Sequence, residues 1–224
     1  MNRKPLLIGL VAAAAIALCV IAYLAFFGGS GTEPLISGSI GGYAVHLTDR
    51  DRPMGSPKAP ILMVEYAAPT CPVCSRFDRE IFPLLKQKYI DSGKVYYVFR
   101  VFPLSQVDVA AEGMARCLPK ESYFNFIDFL YRNQPRWDPD GNEIPDVHAA
   151  LVDMGRIAGM SAEKVDACIN DSVEQKKITR VGTDAQTNYG IDGTPTFIVN
   201  GQKRVGPSTW ADWQSYLDMT LRGK

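Results

Sequence analysis

The residues of this chain best suited to covalent chemistry are Cys71-Pro72-Val73-Cys74. An apolar, partly branched run from Ile61 to Tyr66 precedes them, and a stretch with helical spacing follows. A cysteine at a helix start faces unpaired N–H groups and the positive end of the helix dipole. Both favour the thiolate, the attacking species in thiol–disulfide exchange. Two intervening residues bring Cys74 back to Cys71 within one helical turn, so a disulfide closes without long-range rearrangement. Pro72 suits the first turn because its missing N–H needs no partner there. As an oxidant, such a disulfide is attacked at Cys71 by a substrate thiolate, and the substrate's second thiolate resolves the mixed disulfide. As a reductant, Cys71 attacks first and Cys74 resolves. The pair could instead be half of a zinc site or an inert bridge. No second Cys-x-x-Cys or paired histidine completes a zinc site, since His46 and His148 lie far apart. No metal is expected, and exchange between sulfurs calls for no cofactor.

Two further features bear on this chemistry. Glu65 interrupts the apolar run, and an unpaired buried carboxylate is costly and tends to a raised pKa. A carboxyl below Cys74 could accept or return its proton during exchange. The bland alternative is an end-of-strand glutamate that reaches solvent. Gly193-Thr194-Pro195-Thr196-Phe197 is the second feature, because a proline beginning a strand cannot donate to a ladder. A cis Thr194–Pro195 bond would turn the Thr194 backbone outward to pair with an extended substrate beside Cys71. A trans proline would serve only as a turn.

The elements that must position these groups alternate strand and helix. Ile61 to Tyr66 and Val95 to Phe102 read as strands around a helix from Pro72 to Tyr89, kinked at Pro83. That order is a βαβ unit with a right-handed crossover. Tyr43 to Leu47 reads as a short first strand, and Asp49 to Pro60 as a proline-rich loop. Residues 105–189 carry helical periodicity: Val107 to Cys117, Tyr123 to Asn133, Val147 to Ala158, and Ala162 to Tyr189 with a break near Asp171. Ser161 is a plausible N-cap, and Gln134 to Pro145, with three prolines, reads as a loop. Thr196 to Val199 and Gln202 to Val205 flank Asn200-Gly201, a type I′ hairpin signal. A last helix from Thr209 to Leu221 can place Trp210, Trp213, Leu217 and Leu221 on one face.

Composition narrows the partners and the compartment. The chain has 224 residues, 46% of them hydrophobic, enough for one domain carrying an insert. Without the first thirty residues, which hold Arg3 and Lys4, 22 basic face 24 acidic residues, so nothing points to nucleic acid. Arg3 and Lys4 precede an uncharged, mostly apolar run from Pro5 to Phe27, long enough to span a bilayer core. The reading is a signal-anchor over 1–27, a stalk over 28–42, and a domain on the outer face of the membrane. A signal peptide cut near Ser30 would instead release the chain, and Cys19 as a lipid-bearing cysteine is disfavoured by Leu18 before it. Four cysteines remain beyond the run, Cys71, Cys74, Cys117 and Cys168, and outside the cytoplasm they can persist as disulfides. Spacing pairs Cys71 with Cys74, which leaves Cys117 with Cys168; the alternative is two separate buried thiols.

Met54-Gly55-Ser56-Pro57-Lys58-Ala59-Pro60, Val64-Glu65-Tyr66, Cys71-Pro72-Val73-Cys74 and Gly193 through Gly201 carry a family likeness. Over roughly Leu47 to Leu221 the chain resembles the DsbA-like thiol–disulfide oxidoreductases of the bacterial periplasm, within the thioredoxin superfamily. The resemblance implies an α/β fold: a thioredoxin-like central mixed β-sheet flanked by helices, from residues 43–104 and 190–224, with an inserted helical domain over 105–189. It implies that Cys71 is the exposed nucleophile, Cys74 its buried partner and Glu65 the buried acid, with Thr194 and Pro195 contacting substrate around a cis bond. It further implies cysteine-containing exported proteins as clients and a membrane quinone reductase as reoxidant. Two departures stand out. Val73 occupies the place where the best-known oxidases carry histidine, which removes an imidazole that would stabilise the Cys71 thiolate and predicts a less oxidising disulfide. The anchor is the other, and it would place the domain beside membrane-proximal clients. Competing functions are a periplasmic reductase or isomerase, including thiol maintenance for cytochrome assembly, and an anchored binding or chaperone domain with a structural bridge.

Overall fold

The computed structural model describes residues 42–206 and 209–223. The expected anchor over 1–27, and the stalk apart from Gly42, lie outside the described residues. Among those described, no helix is long and apolar enough to cross a membrane.

Five strands form one mixed sheet in the order β1-β3-β2-β4-β5. β1 is Arg52–Met54, β2 Ile61–Ala67, β3 Val95–Val101, β4 Thr196–Val199 and β5 Gln202–Val205. β2 runs parallel to β3 and antiparallel to β4, so it sits centrally and is buried along its whole length. Alternation then divides its side chains. Ile61, Met63 and Ala67 join Tyr97, Phe99, Phe197 and Val199 in the larger core, while Leu62, Val64 and Tyr66 join Val98 and Ile198 in a smaller one on the other face. Glu65 shares the parity of Met63 and so points into the larger core's side.

Two expectations at the first strand are corrected. Tyr43 to Leu47 forms no strand, although the Tyr43 N–H donates to the Gly201 carbonyl at 2.8 Å. β1 lies instead inside the proline-rich stretch, antiparallel to β3 with Pro53 opposite Val98. An edge strand leaves one row of backbone groups unpaired, so Pro53 loses no ladder bond that the sheet requires.

The catalytic-type helix is also segmented differently. α1 covers Pro72–Glu80, α2 Phe82–Leu85, and a π-helical turn follows over Lys86–Ile90. The break falls at Ile81 rather than at Pro83, and Pro83 sits in the first turn of α2, where a missing N–H is harmless. Between β3 and β4 come α3 (Gln106–Cys117), α4 (Tyr123–Arg132), α5 (Gln134–Trp137), α6 (Val147–Ile157), α7 (Ala162–Ile169) and α8 (Ser172–Tyr189). Ser161 caps α7 and Asp171 caps α8, which is the expected break. α5 lies where a loop was expected: Pro135 fits its first turn, and the fully buried Trp137 donates its indole N–H to the Leu130 carbonyl at 2.9 Å. Asn200 and Gly201 both have positive φ, 47° and 82°, as a type I′ turn demands. α9 (Trp210–Arg222) is capped by Thr209 and buries Trp213 and Leu217, with Trp210 and Leu221 packed at the core's edge.

A disulfide joins Cys117 at the end of α3 to Cys168 in α7, across 51 residues of sequence. The two helices approach closely, since a Cβ on Gly113 would stand 3.0 Å from the Cys168 carbonyl oxygen. Closing a loop of this length restricts the unfolded chain by up to about 4 kcal/mol. Replacing both cysteines by serine should therefore lower unfolding stability by about 2–4 kcal/mol, read as a shift in the urea midpoint at unchanged slope. An unshifted midpoint would show that this cross-link does not restrain the unfolded chain.

Candidate redox site

Cys71 is the N-cap of α1. Its backbone is extended, at φ −72° and ψ 117°, and its sulfur accepts the Cys74 backbone N–H at 3.2 Å. A serine, threonine or aspartate oxygen normally fills that position, so here a sulfur receives the donors that a helix start leaves free. The Cys71 sulfur also lies 3.6 Å from the Thr194 carbonyl oxygen, with Cys71 as donor. The Thr194–Pro195 bond is cis. A hydrogen bond from the Cys74 thiol, opposed by burial and aided by the Thr194 side chain and the backbone N–H groups of Cys74 and Val73, brings the Cys71 thiol down to about 6. Cys71 is itself buried, at 5% exposed, and is not the exposed sulfur that the resemblance implied; Cys74 lies deeper and its neighbours act in the opposite direction. It is fully buried, and burial, its bond to Cys71 and the nearby Glu65 charge push its thiol far above the usual range.

Glu65 lies within the central strand, opposite Phe99 on β3 and Phe197 on β4, and is only 2% exposed. It therefore does not reach solvent at a strand end. The Tyr97 hydroxyl donates to its Oε2. Burial outweighs that bond and raises the Glu65 carboxyl to about 8, with the Asp78 and Cys71 charges adding to the rise. A cavity of about 210 Å³ lies beside it, lined among others by Glu65, Asp78, Tyr97, Asp128 and Tyr131. Burial, and then the neighbouring Asp128 carboxyl, push Asp78 up to about 7.

The turn before α1 is held from outside the sheet. The Thr70 N–H donates to Asp108 Oδ1 at 2.8 Å, and the Gln134 side-chain amide donates to the Pro69 and Cys71 carbonyls at 2.7 and 3.1 Å. The Tyr131 hydroxyl donates to the Ala68 carbonyl at 3.3 Å. Val73 is half-buried against the core and offers the site no side-chain donor, and Pro72 occupies the first turn of α1, exposed.

The structure thus brings Cys71, Cys74, Glu65, Thr194 and Pro195 into one neighbourhood. It places the Cys117–Cys168 pair in other helices. Tyr97, Asp78, Asp108 and Gln134 were not singled out from sequence. Ser105-x-x-Asp108 does carry a capping-box pattern, and both bonds of that box are made. Nothing local marks Asp108 as a partner for Thr70 or Gln134 as one for Cys71, because 38 and 63 residues separate them.

A thioredoxin family model matches residues 47–219. A Rickettsia typhi protein named among the protein-disulfide oxidoreductases is 34% identical over 157 residues, 69% of this chain and 56% of that protein. The chain thus spans little more than half the length of the curated relatives it first matches. The crystal structure of Wolbachia pipientis α-DsbA1 aligns with a TM-score of 0.71 at 31% identity, covering 79% of this chain and 93% of that one. BdbD from Bacillus subtilis, at 21% identity and a TM-score of 0.65 over 77% of this chain and 93% of that one, shares the fold.

The raised Glu65 carboxyl makes stability depend on pH. Unfolded, the group titrates near its ordinary value of 4.5, and folded near 8, so between these the native state holds the extra proton. Stability therefore falls as pH rises through that window. Glu65→Gln should match the parent near pH 4.5 and exceed it at pH 8 by a few kcal/mol, measured by urea unfolding of the reduced chain. A constant difference between the two chains across the window would rule out Glu65 as the titrating group.

Proposed function

The chain belongs to the DsbA-like thiol–disulfide oxidoreductases of the thioredoxin superfamily, and on that premise we propose that it oxidises cysteine pairs in exported proteins through Cys71 and Cys74. The observation that carries this reading is the asymmetry of the two sulfurs: the Cys71 thiol is brought down to about 6, while the buried Cys74 thiol is pushed up. A stabilised Cys71 thiolate favours the reduced form of the enzyme, which is what an oxidant of other thiols requires.

In the first step a client thiolate attacks the Cys71 sulfur of the Cys71–Cys74 disulfide. The S–S bond breaks, its electron pair goes to the Cys74 sulfur, and the client is joined to Cys71. Cys74 then takes a proton, because its buried thiolate is the costly form. Glu65, protonated at neutral pH, is the donor, and the cavity beside Asp78 and Asp128 leads the replacement proton in from solvent. In the second step the client's other thiolate attacks its own sulfur in the mixed disulfide. The client leaves oxidised, and Cys71 leaves as a thiolate held by the α1 N-terminus. Thr194, beside Cys71, is placed to pair its backbone with an extended client.

The domain would act outside the cytoplasm. The basic Arg3 and Lys4 followed by the apolar run to Phe27 support a signal-anchor in a bacterial inner membrane, with the redox domain in the periplasm, and cleavage of that segment would instead release it there. A membrane quinone reductase is the proposed reoxidant. The second reading is a reductase or isomerase, and Val73 favours it, since no imidazole adds to the stabilisation of the thiolate.

With Cys74 replaced by alanine, the Cys71 thiolate should attack disulfides of oxidised clients and hold them as mixed disulfides that no Cys74 resolves, seen on non-reducing gels and identified by mass spectrometry. Replacing Cys71 by alanine should abolish oxidation of a reduced client, and undiminished oxidation would remove Cys71 from the chemistry. Val73→His should make the disulfide more oxidising, read as a shift of its glutathione equilibrium toward the dithiol.

A further inference from the structure

The three residues before Cys71 have to be rigid, because they decide where the sulfur stands relative to the first N–H groups of α1. Their backbone is not anchored by the sheet. β2 ends at Ala67, and α1 begins at Pro72. Between them the Cys71 N–H bonds back to the Ala68 carbonyl at 3.0 Å, a single local bond. The other anchors across this turn come from the helices between β3 and β4: Asp108 on α3 takes the Thr70 N–H, Tyr131 on α4 reaches the Ala68 carbonyl, and Gln134 on α5 reaches two carbonyls at once.

Gln134 is the most specific of these. Its amide nitrogen has two protons, and the two acceptors, Pro69 and Cys71, flank Thr70. It is 7% exposed, so neither carbonyl has bulk water as a ready substitute. It is itself fixed at the first position of α5, a helix held by the buried Trp137 indole. The Cys71 carbonyl also accepts the Ser75 N–H at 3.0 Å, so Gln134 grips the same carbonyl that starts the helix. Asp108 is equally immobile: fully buried, it also accepts the Leu104 and Ser105 N–H groups at 2.9 Å each.

We propose that Gln134 is a positioning residue for Cys71: by clamping the Pro69 and Cys71 carbonyls, it fixes the sulfur against the Cys74 N–H, and the helices between β3 and β4 thereby set the reactivity of the redox centre. This rests on the reading of Cys71–Cys74 as a redox pair. Without the clamp the turn loses the bonds that fix its carbonyls on either side of Thr70, the 3.2 Å contact from the Cys74 N–H to the Cys71 sulfur loosens, and the thiolate loses part of its stabilisation. The dithiol form then becomes less favourable relative to the disulfide.

The test uses the full 224-residue chain, purified in detergent, as parent and as Gln134→Met, which keeps volume and removes both donors. Two quantities are read: the pH midpoint of thiolate absorbance at 240 nm, and the equilibrium constant with glutathione. The expected result is a midpoint raised by about half a unit and an equilibrium shifted about threefold toward the disulfide. A side chain that merely stabilised the fold would lower the unfolding midpoint and move neither quantity. A folded Q134M chain with both quantities unchanged overturns the clamp. Should Q134M not fold, Gln134→Asn, which is uncharged but one methylene too short to reach both carbonyls, gives the same reading with the same two outcomes. A parent chain that shows no glutathione equilibrium at all overturns the redox reading and the clamp together, whereas a parent equilibrium that Q134M leaves in place overturns the clamp alone.

Discussion

Two sulfurs in one helical turn must live in opposite environments. Cys71 stands where a helix start gathers unpaired N–H groups, and Cys74, three residues on, is sealed in the core. Most of the site's remaining geometry serves that difference. The helix has to begin at Cys71 and nowhere else, which an extended backbone at Cys71 and a proline directly after it ensure. The sealed sulfur needs a proton partner that is equally sealed. In the proposed mechanism Glu65 fills that place, because the two-residue period of β2 puts it on the same side as Met63 and Ala67. An ionised carboxylate there would be costly, so the group is held protonated at neutral pH, which is the state needed to protonate a leaving thiolate.

Work is divided between sheet and helices. The sheet and α1 carry the reacting groups, and β4 follows directly on the segment that brings Thr194 to Cys71. The helices between β3 and β4 carry the constraints. Asp108 and Gln134 fix the turn, and their own places depend on the packing of α3, α4 and α5. α3 and α7 come close enough that Gly113 stands against the Cys168 backbone, and the Cys117–Cys168 disulfide ties the same two helices. The helix that holds Thr70 through Asp108 is thus the one that carries Cys117 at its other end.

Much of this was legible in the chain. The two long strands, the helix after Cys71, the cap at Ser161, the break near Asp171 and the Asn200-Gly201 turn each announce themselves by local chemistry: period, side-chain caps and tolerance of positive φ. Glu65 was legible because one charge in an apolar run has few explanations. The failures have a common cause. β1 is stabilised by pairing with β3 rather than by its own propensity, and a short edge strand containing Pro53 carries no local signal. α5 is a single turn held by Trp137 against Leu130. Gln134 and Asp108 act on residues more than thirty positions away, and such contacts are created by the fold.

The oxidising strength of the proposed redox pair depends on how many donors face Cys71. A thiol brought from its ordinary value of 9.0 to about 6 represents on the order of 4 kcal/mol in favour of the thiolate. Thioredoxin's nucleophile titrates near 7, and the strongly oxidising DsbA centre near 3.5. The Cys71 thiol, brought down to about 6, is shifted in the same direction. The stabilisation comes from the Cys74 thiol, Thr194 and two backbone N–H groups, with no side chain from position 73 taking part. Val73 therefore removes one contributor without removing those that the helix start provides. Acting as proposed, such a centre would oxidise clients whose own disulfides are the more stable, and would yield its electrons to a reoxidant more readily than a histidine-bearing centre. Its direction in the cell is then set by the partner that keeps it oxidised as much as by its own residues.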